Sequence, residues 1–356
     1  MSEDLRVGLS VVMPCRDVAK WLPRCLDEVF AALPADGEIV AVDDGSTDRT
    51  GAILAEAASR RADMRFVAQE HCGVSAARNR ALAECRGELV FFVDPDDGVA
   101  PDFFAAMSDA MRRRGADYCV CAFSTRADGS EEFTDHRLKG EYEFASNAEI
   151  MSGYLPRIFG YSFNDVRDWY RGTPLFSRRE FATVWRAAFR RDLIERAGVR
   201  FDETVEYGED AMFNAEYLLS ARSMTCVDRP LYRMTERASG ATRSIAGDGA
   251  RLCRNKLRLL AARNRLDAAS GGRLAPLYAG TCVLSALEML SVVAKGRAPF
   301  GEGMRMLREH LSDAVVRRAL AGFPLSWRRP DVASAVALLR LIARLQKLPN
   351  ASVRVR

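Results

Sequence analysis

Histidine is scarce in this 356-residue chain, with only three, and the nine cysteines include no CxxC pair. Cys15, Cys25, Cys72, Cys85, Cys119, Cys121, Cys226, Cys253 and Cys282 form an odd, scattered set. A structural zinc centre and a disulfide scaffold are therefore not expected, and a reducing compartment is the simpler reading. Several of these thiols read as small buried apolar groups. No run of about 18 apolar residues is free of charge, so no membrane span is expected. The first six residues carry two acids and no basic-then-apolar signal sequence, so any work at a membrane is expected to be peripheral. The phosphate loop GxxxxGK[ST], the zinc motif HExxH and the nucleophile elbow GxSxG are all missing. Where GxGxxG would follow a first strand stands Pro14-Cys15-Arg16-Asp17, which disfavours a dinucleotide oxidoreductase. There is no internal repeat. Charge of one sign is lacking as well: 52 Lys and Arg oppose 48 Asp and Glu, a net +4. That excludes a dedicated nucleic-acid binder. It suits nucleotide diphosphates or an acidic membrane surface without requiring either.

What is present is an alternation of short apolar runs with helical periodicity. Strands are expected at 7–13, 38–42, 65–68, 89–93 and 118–123. Helices are expected over 18–33, from about Thr50, and over 73–83 with Ser75 as N-cap. A further helix starts close to Pro101. This pattern predicts an α/β fold with a mostly parallel central sheet flanked by helices. In such sheets functional loops lie beyond the carboxyl ends of the strands. Three polar loops, 14–17, 43–48 and 94–97, fall there.

Residues 124–180 are irregular and rich in aromatics, either a variable region shaping an acceptor cleft or a surface segment with its own small core. A helix is expected over 180–197, another over 211–220, and a last strand at 225–227. From about 248 the composition turns to long apolar and basic helical patterns over 249–291, 303–321 and 333–348. This tail either packs as a helical extension or lays a basic amphipathic helix on anionic lipid.

Asp94-Pro95-Asp96-Asp97 sets three carboxylates in four residues after an apolar strand. Such hard oxygen ligands suit Mg²⁺ or Mn²⁺, and without a cation or hydrogen bonds they repel. A solvated turn capping the next helix would use the same residues. Asp43 can accept a hydrogen bond from a base or a ribose, while Ser46, Thr47 or Asp48 can cap the following helix. Arg78, among small residues, can meet a base or a phosphate, or form an ordinary salt bridge. Gly208-Glu209-Asp210 opens a helix and can present a general base or simply charge its N-terminus. Trp185 is either a core anchor or a stacking surface for a sugar.

The ordered set Ser10-Val11-Val12-Met13-Pro14, 42–48 (Val-Asp-Asp-Gly-Ser-Thr-Asp), 73–79 and Phe92-Val93-Asp94-Pro95-Asp96-Asp97 resembles the family 2 glycosyltransferases with the GT-A fold. Phe201-Asp202-Glu203, Gly208-Glu209-Asp210 and Phe213 extend the likeness over about residues 7–235. Val184 to Arg191 resembles the W-x-x-x-[YF]-[RK]-[RK] stretch of capsule, exopolysaccharide and lipopolysaccharide members. The resemblance implies an inverting transferase that uses a UDP-sugar and Mn²⁺ or Mg²⁺. It implies that Pro14 and Asp43 line the uracil pocket and that Arg78 holds the base or phosphate side of the donor. Asp94 would touch ribose or metal, and Asp96 would be the principal metal ligand. Asp210 would be the base, with Glu209, Trp185 and Asp97 supporting it or shaping the acceptor side. It implies a GT-A nucleotide-diphospho-sugar transferase domain over 1–240, with 124–180 on the acceptor side, and a helical extension over 248–356. The acceptor is a saccharide or a lipid-linked saccharide, handled in the cytoplasm or at the inner face of the membrane. Residues 235–239 are expected over the diphosphate. Cys15-Arg16 departs from the Tyr-Asn common in relatives, which removes a base-stacking role from position 15. Two other readings are a catalytically silent scaffold of the same fold and a sugar nucleotidyltransferase. The first conflicts with the intact Asp94, Asp96 and Asp210. The second lacks its glycine-rich loop.

Overall fold

The computed structural model describes residues 7–237, 247–326 and 328–345. The chain divides into two compact units, Met1–Ile158 with Glu180–Gly240, and Phe159–Arg179 with Ala241–Arg356.

The first unit begins with β1 (Leu9–Cys15), α1 (Leu22–Ala32), β2 (Gly37–Asp44), α2 (Thr50–Arg60), β3 (Met64–Gln69), α3 (Val74–Glu84) and β4 (Leu89–Phe92). Next come β5 (Gly98–Val99), α4 (Phe103–Arg114), β6 (Tyr118–Ala127), β7 (Thr134–His136), α5 (Asn147–Gly153) and α6 (Leu155–Phe159). A helix of the second unit, α7 (Phe163–Tyr170), intervenes before β8 (Ala187–Arg190), α8 (Arg191–Ala197), α9 (Glu209–Ser220) and β9 (Met224–Glu236). Every residue of β1, β2 and β4 is buried, as a strand covered on both faces requires. Successive side chains point to opposite faces, so Phe91 meets Phe103 and Phe104 while Phe92 meets Phe189, Phe201 and Phe213.

The sheet runs β3-β2-β1-β4-β8-β6-β9-β5, with β7 beside β6. β3, β2, β1 and β4 are parallel, which brings the loops after Cys15, Asp44 and Phe92 to one edge. The expectation of a mostly parallel sheet is corrected beyond β4. There β8 is antiparallel to β4 and β6, β5 to β9 and β7 to β6, so the sheet is mixed. The cause is β8, which lies inside the stretch expected to be helical over 180–197. Its Ala187-Ala188-Phe189 segment has no strong strand preference of its own, and pairing on both sides decides its conformation. Helix survives only over Arg191–Ala197.

Ser75 is not an N-cap either. Helix α3 opens at Gly73, whose φ of +98° suits glycine, and the Ser75 hydroxyl is buried in the first turn.

The second unit is helical: α7 together with α10 (Gly249–Ala269), α11 (Ala275–Ala294), α12 (Phe300–Ser312), α13 (Ala314–Gly322) and α14 (Pro330–Leu345). The helical pattern over 249–291 divides into two helices at Gly271 and Gly272, both at positive φ. Asp267 there accepts from the backbone N–H groups of Leu274 and Ala275 and so starts α11. By length and composition α11 is apolar enough to cross a membrane. Within this unit, however, Tyr278, Cys282, Val283, Ala286 and Met289 on it are buried.

Candidate functional site

At the carboxyl edge of the parallel strands, two loops lock together. The Asp17 carboxylate accepts from the Thr47 amide (2.7 Å) and hydroxyl, and the Asp17 amide donates to Ser46 Oγ. Asp48 accepts from the amides of Ala19 (3.0 Å) and Thr50 (2.8 Å), so it is Asp48 that takes up the start of α2. Pro14, in β1, lies opposite Val42, and Cys15 opposite Asp43. One oxygen of Asp43 is held by the Ser46 amide and hydroxyl.

The neighbouring Asp44 was not singled out in the sequence, yet it organises the third loop. It accepts from the Gln69 side chain (2.8 Å) and from the amides of Cys72 (2.8 Å) and Gly73 (2.9 Å), and it pairs with His71 Nδ1 (2.7 Å). Burial would raise its pKa, but these hydrogen bonds to the charged form win and hold it below the usual value. His71 Nε2 in turn meets the Arg16 guanidinium. The paired Asp43-Asp44 doublet was the only signal in the sequence.

Arg78 is the centre of the site. It is 3% exposed, and its guanidinium donates to Asp94 (3.1 Å), Glu209 (3.0 Å) and Asp210 (2.7 Å). One buried fork thus ties the loop after β4 to the first turn of α9. Burial alone would lower the Arg78 pKa, but the charges of Asp210, Asp94 and Glu209 raise it. Next to it, Asn79 bonds both the amide and carbonyl of Phe201, and Phe201 stacks on Phe213 of α9 (4.2 Å between ring centres). These contacts explain why Arg-Asn precedes a distant Phe-Asp-Glu in the sequence. They hold α9 against the sheet edge.

Asp210 also accepts from the Val184 amide (3.2 Å). Burial pushes its carboxyl up to about 7, against the pull of Arg78 and with the push of Glu209 and Asp94. A carboxyl tuned there exchanges a proton near neutral pH.

The three aspartates after β4 diverge. Asp94 reaches Arg78, and its amide donates to the Tyr232 hydroxyl (3.1 Å). Asp96 is paired with Arg237 Nε at 2.5 Å. Its carboxyl is pushed up to about 6 by burial and by Asp94, with Arg237 opposing. Asp97 faces inward instead, accepting from the Tyr232 hydroxyl (2.9 Å) and the Thr235 amide (2.7 Å). Asp97 therefore anchors the end of β9 to this loop. Trp185, 4% exposed, stacks on Tyr232 at 4.4 Å and meets the edge of Phe123. It packs in the core beneath the aspartate loop. Arg237 and Tyr232 escaped sequence reading as individual residues. Of the stretch expected over the diphosphate, 238 and 239 lie outside the described residues.

Asp94 and Asp96 fit a divalent cation in a restricted sense. Among the described residues no group of three or more His, Cys, Asp or Glu is arranged to hold a metal. Two hard carboxylates with raised mutual repulsion match the way Mg²⁺ is held, by one or two carboxylates plus substrate phosphates and water.

Comparison with known proteins follows the same lines. The profile described as Glycosyl transferase family 2 matches residues 10–178. EpsJ of Bacillus subtilis, an uncharacterized glycosyltransferase, is 27% identical over 234 residues, 66% of this chain and 62% of that protein. Glycosyltransferase GlyA of Streptococcus pneumoniae is 26% identical over 237 residues, 66% of this chain and 31% of GlyA. The match thus spans less than two thirds of these relatives. Staphylococcus aureus TarS 1–349, solved in complex with UDP-GlcNAc, shares the fold with a TM-score of 0.64 at 17% identity, covering 95% of this chain and 91% of that one.

Proposed function

We propose that the chain, which matches glycosyl transferase family 2 over residues 10–178, is an inverting GT-A enzyme of that family moving a sugar from a UDP-sugar to a saccharide or lipid-linked saccharide in cell-surface polysaccharide synthesis. The observation that carries this reading is the Arg78 fork, which joins a donor-side aspartate to a carboxyl with a pKa near neutrality. In this reading Pro14 and Asp43 border the base, and Asp94 faces the ribose or the metal. Asp96 with Asp94 would hold Mn²⁺ or Mg²⁺, and the cation would neutralise charge on the leaving diphosphate. Asp210 takes the proton from the attacking acceptor hydroxyl, and displacement opposite the nucleotide turns an α-linked donor into a β-linked product. Arg78 is a positioning residue: its three carboxylate partners occupy it, and it fixes where Asp210 points. Glu209 shares that fork, and Asp97 and Trp185 hold the loop from behind. The residues 1–240 form the catalytic part.

Calorimetry with UDP and Mn²⁺, repeated with excess chelator, tests this. Metal-dependent binding lost in Asp96→Ala and kept in Asp210→Ala separates donor and base roles. Absence of any nucleotide binding by folded protein would refute the transferase reading.

A further inference from the structure

The near-neutral total charge hides a strong partition. The sheet unit carries 27 Lys and Arg against 39 Asp and Glu, a net −12, and the helical unit carries 25 against 9, a net +16. A net charge that high in a helical body of this size favours association with an anionic surface.

Helix α14 supplies the rest of the surface. It buries Val332, Val336 and Leu339 within its own unit. The opposite face is not polar, as it would be on an ordinary surface helix. Leu338, Leu341 and Leu345 are 46%, 52% and 55% exposed. With Ala337 they form a stripe at i, i+1, i+4 and i+8, and exposed Arg344 lies beside it. Five residues before the start of the helix, Leu325 is also exposed. Arg340, on the flank, donates to the carbonyls of Leu320, Ala321 and Phe323, which ties α14 to the end of α13. Helix α13 contributes exposed Arg317 and Arg318. Neither these two nor Arg344 forms an ion pair among the described residues. Asp331 and Asp313, the acids at the starts of the two helices, are occupied by Arg329 and by backbone and Asn264 contacts.

We propose that this face of the helical unit, the Leu338-Leu341-Leu345 stripe with Arg317, Arg318 and Arg344, docks on an anionic lipid bilayer surface. Apolar side chains enter the headgroup boundary while unpaired arginines meet lipid phosphates, the arrangement by which amphipathic helices lie in an interface. A second protein copy would bring the same excess of positive charge to the face, so self-association there is disfavoured by repulsion. The proposal does not depend on the transferase reading, since it uses none of its residues.

The test is co-sedimentation of the full chain with vesicles of phosphatidylcholine alone and with phosphatidylglycerol at about one third. Binding is expected only to the anionic vesicles and should weaken steeply between about 0.05 and 0.5 M salt. Leu338→Ser with Leu341→Ser, and separately Arg317→Glu with Arg318→Glu, should each cut binding at least about tenfold. Both pairs are exposed, so the fold should persist, and unchanged circular dichroism and UDP affinity check it. Equal binding to neutral vesicles, no binding to anionic ones, or variants that bind like the parent would each overturn the proposal. So would a dimer in solution that the leucine variant turns into a monomer, because the face would then be covered by a second copy.

Discussion

At Asp210 burial raises the carboxyl to about 7 while Arg78 keeps it within reach of ionisation. Two consequences follow at the scale of this residue. As the proposed base, Asp210 must be deprotonated to act, so kcat/KM should climb with pH through about 7, and Asp210→Asn should lose about 10² to 10⁴ in rate along with that limb. A flat pH profile in the parent would remove Asp210 from the proton transfer. The second consequence concerns stability. The folded-state pKa lies above the unfolded value of 3.8, so the native protein binds more protons between the two, and it loses stability as pH rises from about 4 to 7. Asn does not titrate. The melting temperature of Asp210→Asn relative to the parent should therefore rise with pH, by something on the order of 5 °C across this window. A difference independent of pH would show that Asp210 is not held protonated. At Asp96 the competition is between cations. Arg237 occupies the carboxylate at 2.5 Å, so a divalent ion must share or displace it. Arg237→Gln should bind Mn²⁺ several-fold tighter without nucleotide, read by calorimetry at pH 8; weaker binding would mean that Arg237 supports the metal site.

Among the elements, α9 and the loop after β4 are joined chiefly by one guanidinium. Lysine offers a point charge where arginine offers a planar fork. Arg78→Lys cannot satisfy Asp94, Glu209 and Asp210 together, so amide exchange at 94–97 and 208–213 should speed up and turnover should fall. Unchanged exchange there would mean that the aromatic stack of Phe201 on Phe213 suffices to hold α9. The elements that were legible in the sequence are those whose signal is local. The strands β1, β2 and β4 are continuous apolar runs, and each delivers its polar loop to the same edge, as the motif order foretold. β8 was not legible, because Ala187-Ala188-Phe189-Arg190 becomes a strand only when β4 and β6 flank it. The Ser75 N-cap failed for a related reason, since Gly73 can turn at positive φ and leaves no need for a side-chain cap. At the site, the type of each residue was legible and its orientation was not. Nothing in Asp94-Pro95-Asp96-Asp97 tells that Asp97 turns inward to Tyr232 and Thr235, partners some 135 residues away. For Arg78 the sequence left a ligand contact and a salt bridge both open, and its burial among three carboxylates is set by residues distant in the chain.

For the molecule as a whole, composition misleads because the two units carry opposite charge. A sum of +4 describes neither the −12 unit that holds the aspartates nor the +16 unit that holds the exposed leucines. Chemistry and docking thus rest on separate residue sets, and kinetics can tell them apart. With the acceptor embedded in anionic vesicles, docking raises its effective concentration without touching the chemical step. Leu338→Ser with Leu341→Ser should then raise the apparent KM for that acceptor about tenfold and leave kcat and UDP affinity alone. With a soluble saccharide acceptor the same variant should match the parent. Asp210→Asn should fail on both acceptors alike, because it removes the proton transfer rather than the encounter. A fall in kcat for the leucine variant on the soluble acceptor would mean that α14 supports the catalytic unit itself. The partition of function between the two units would then be wrong, whatever the vesicles showed.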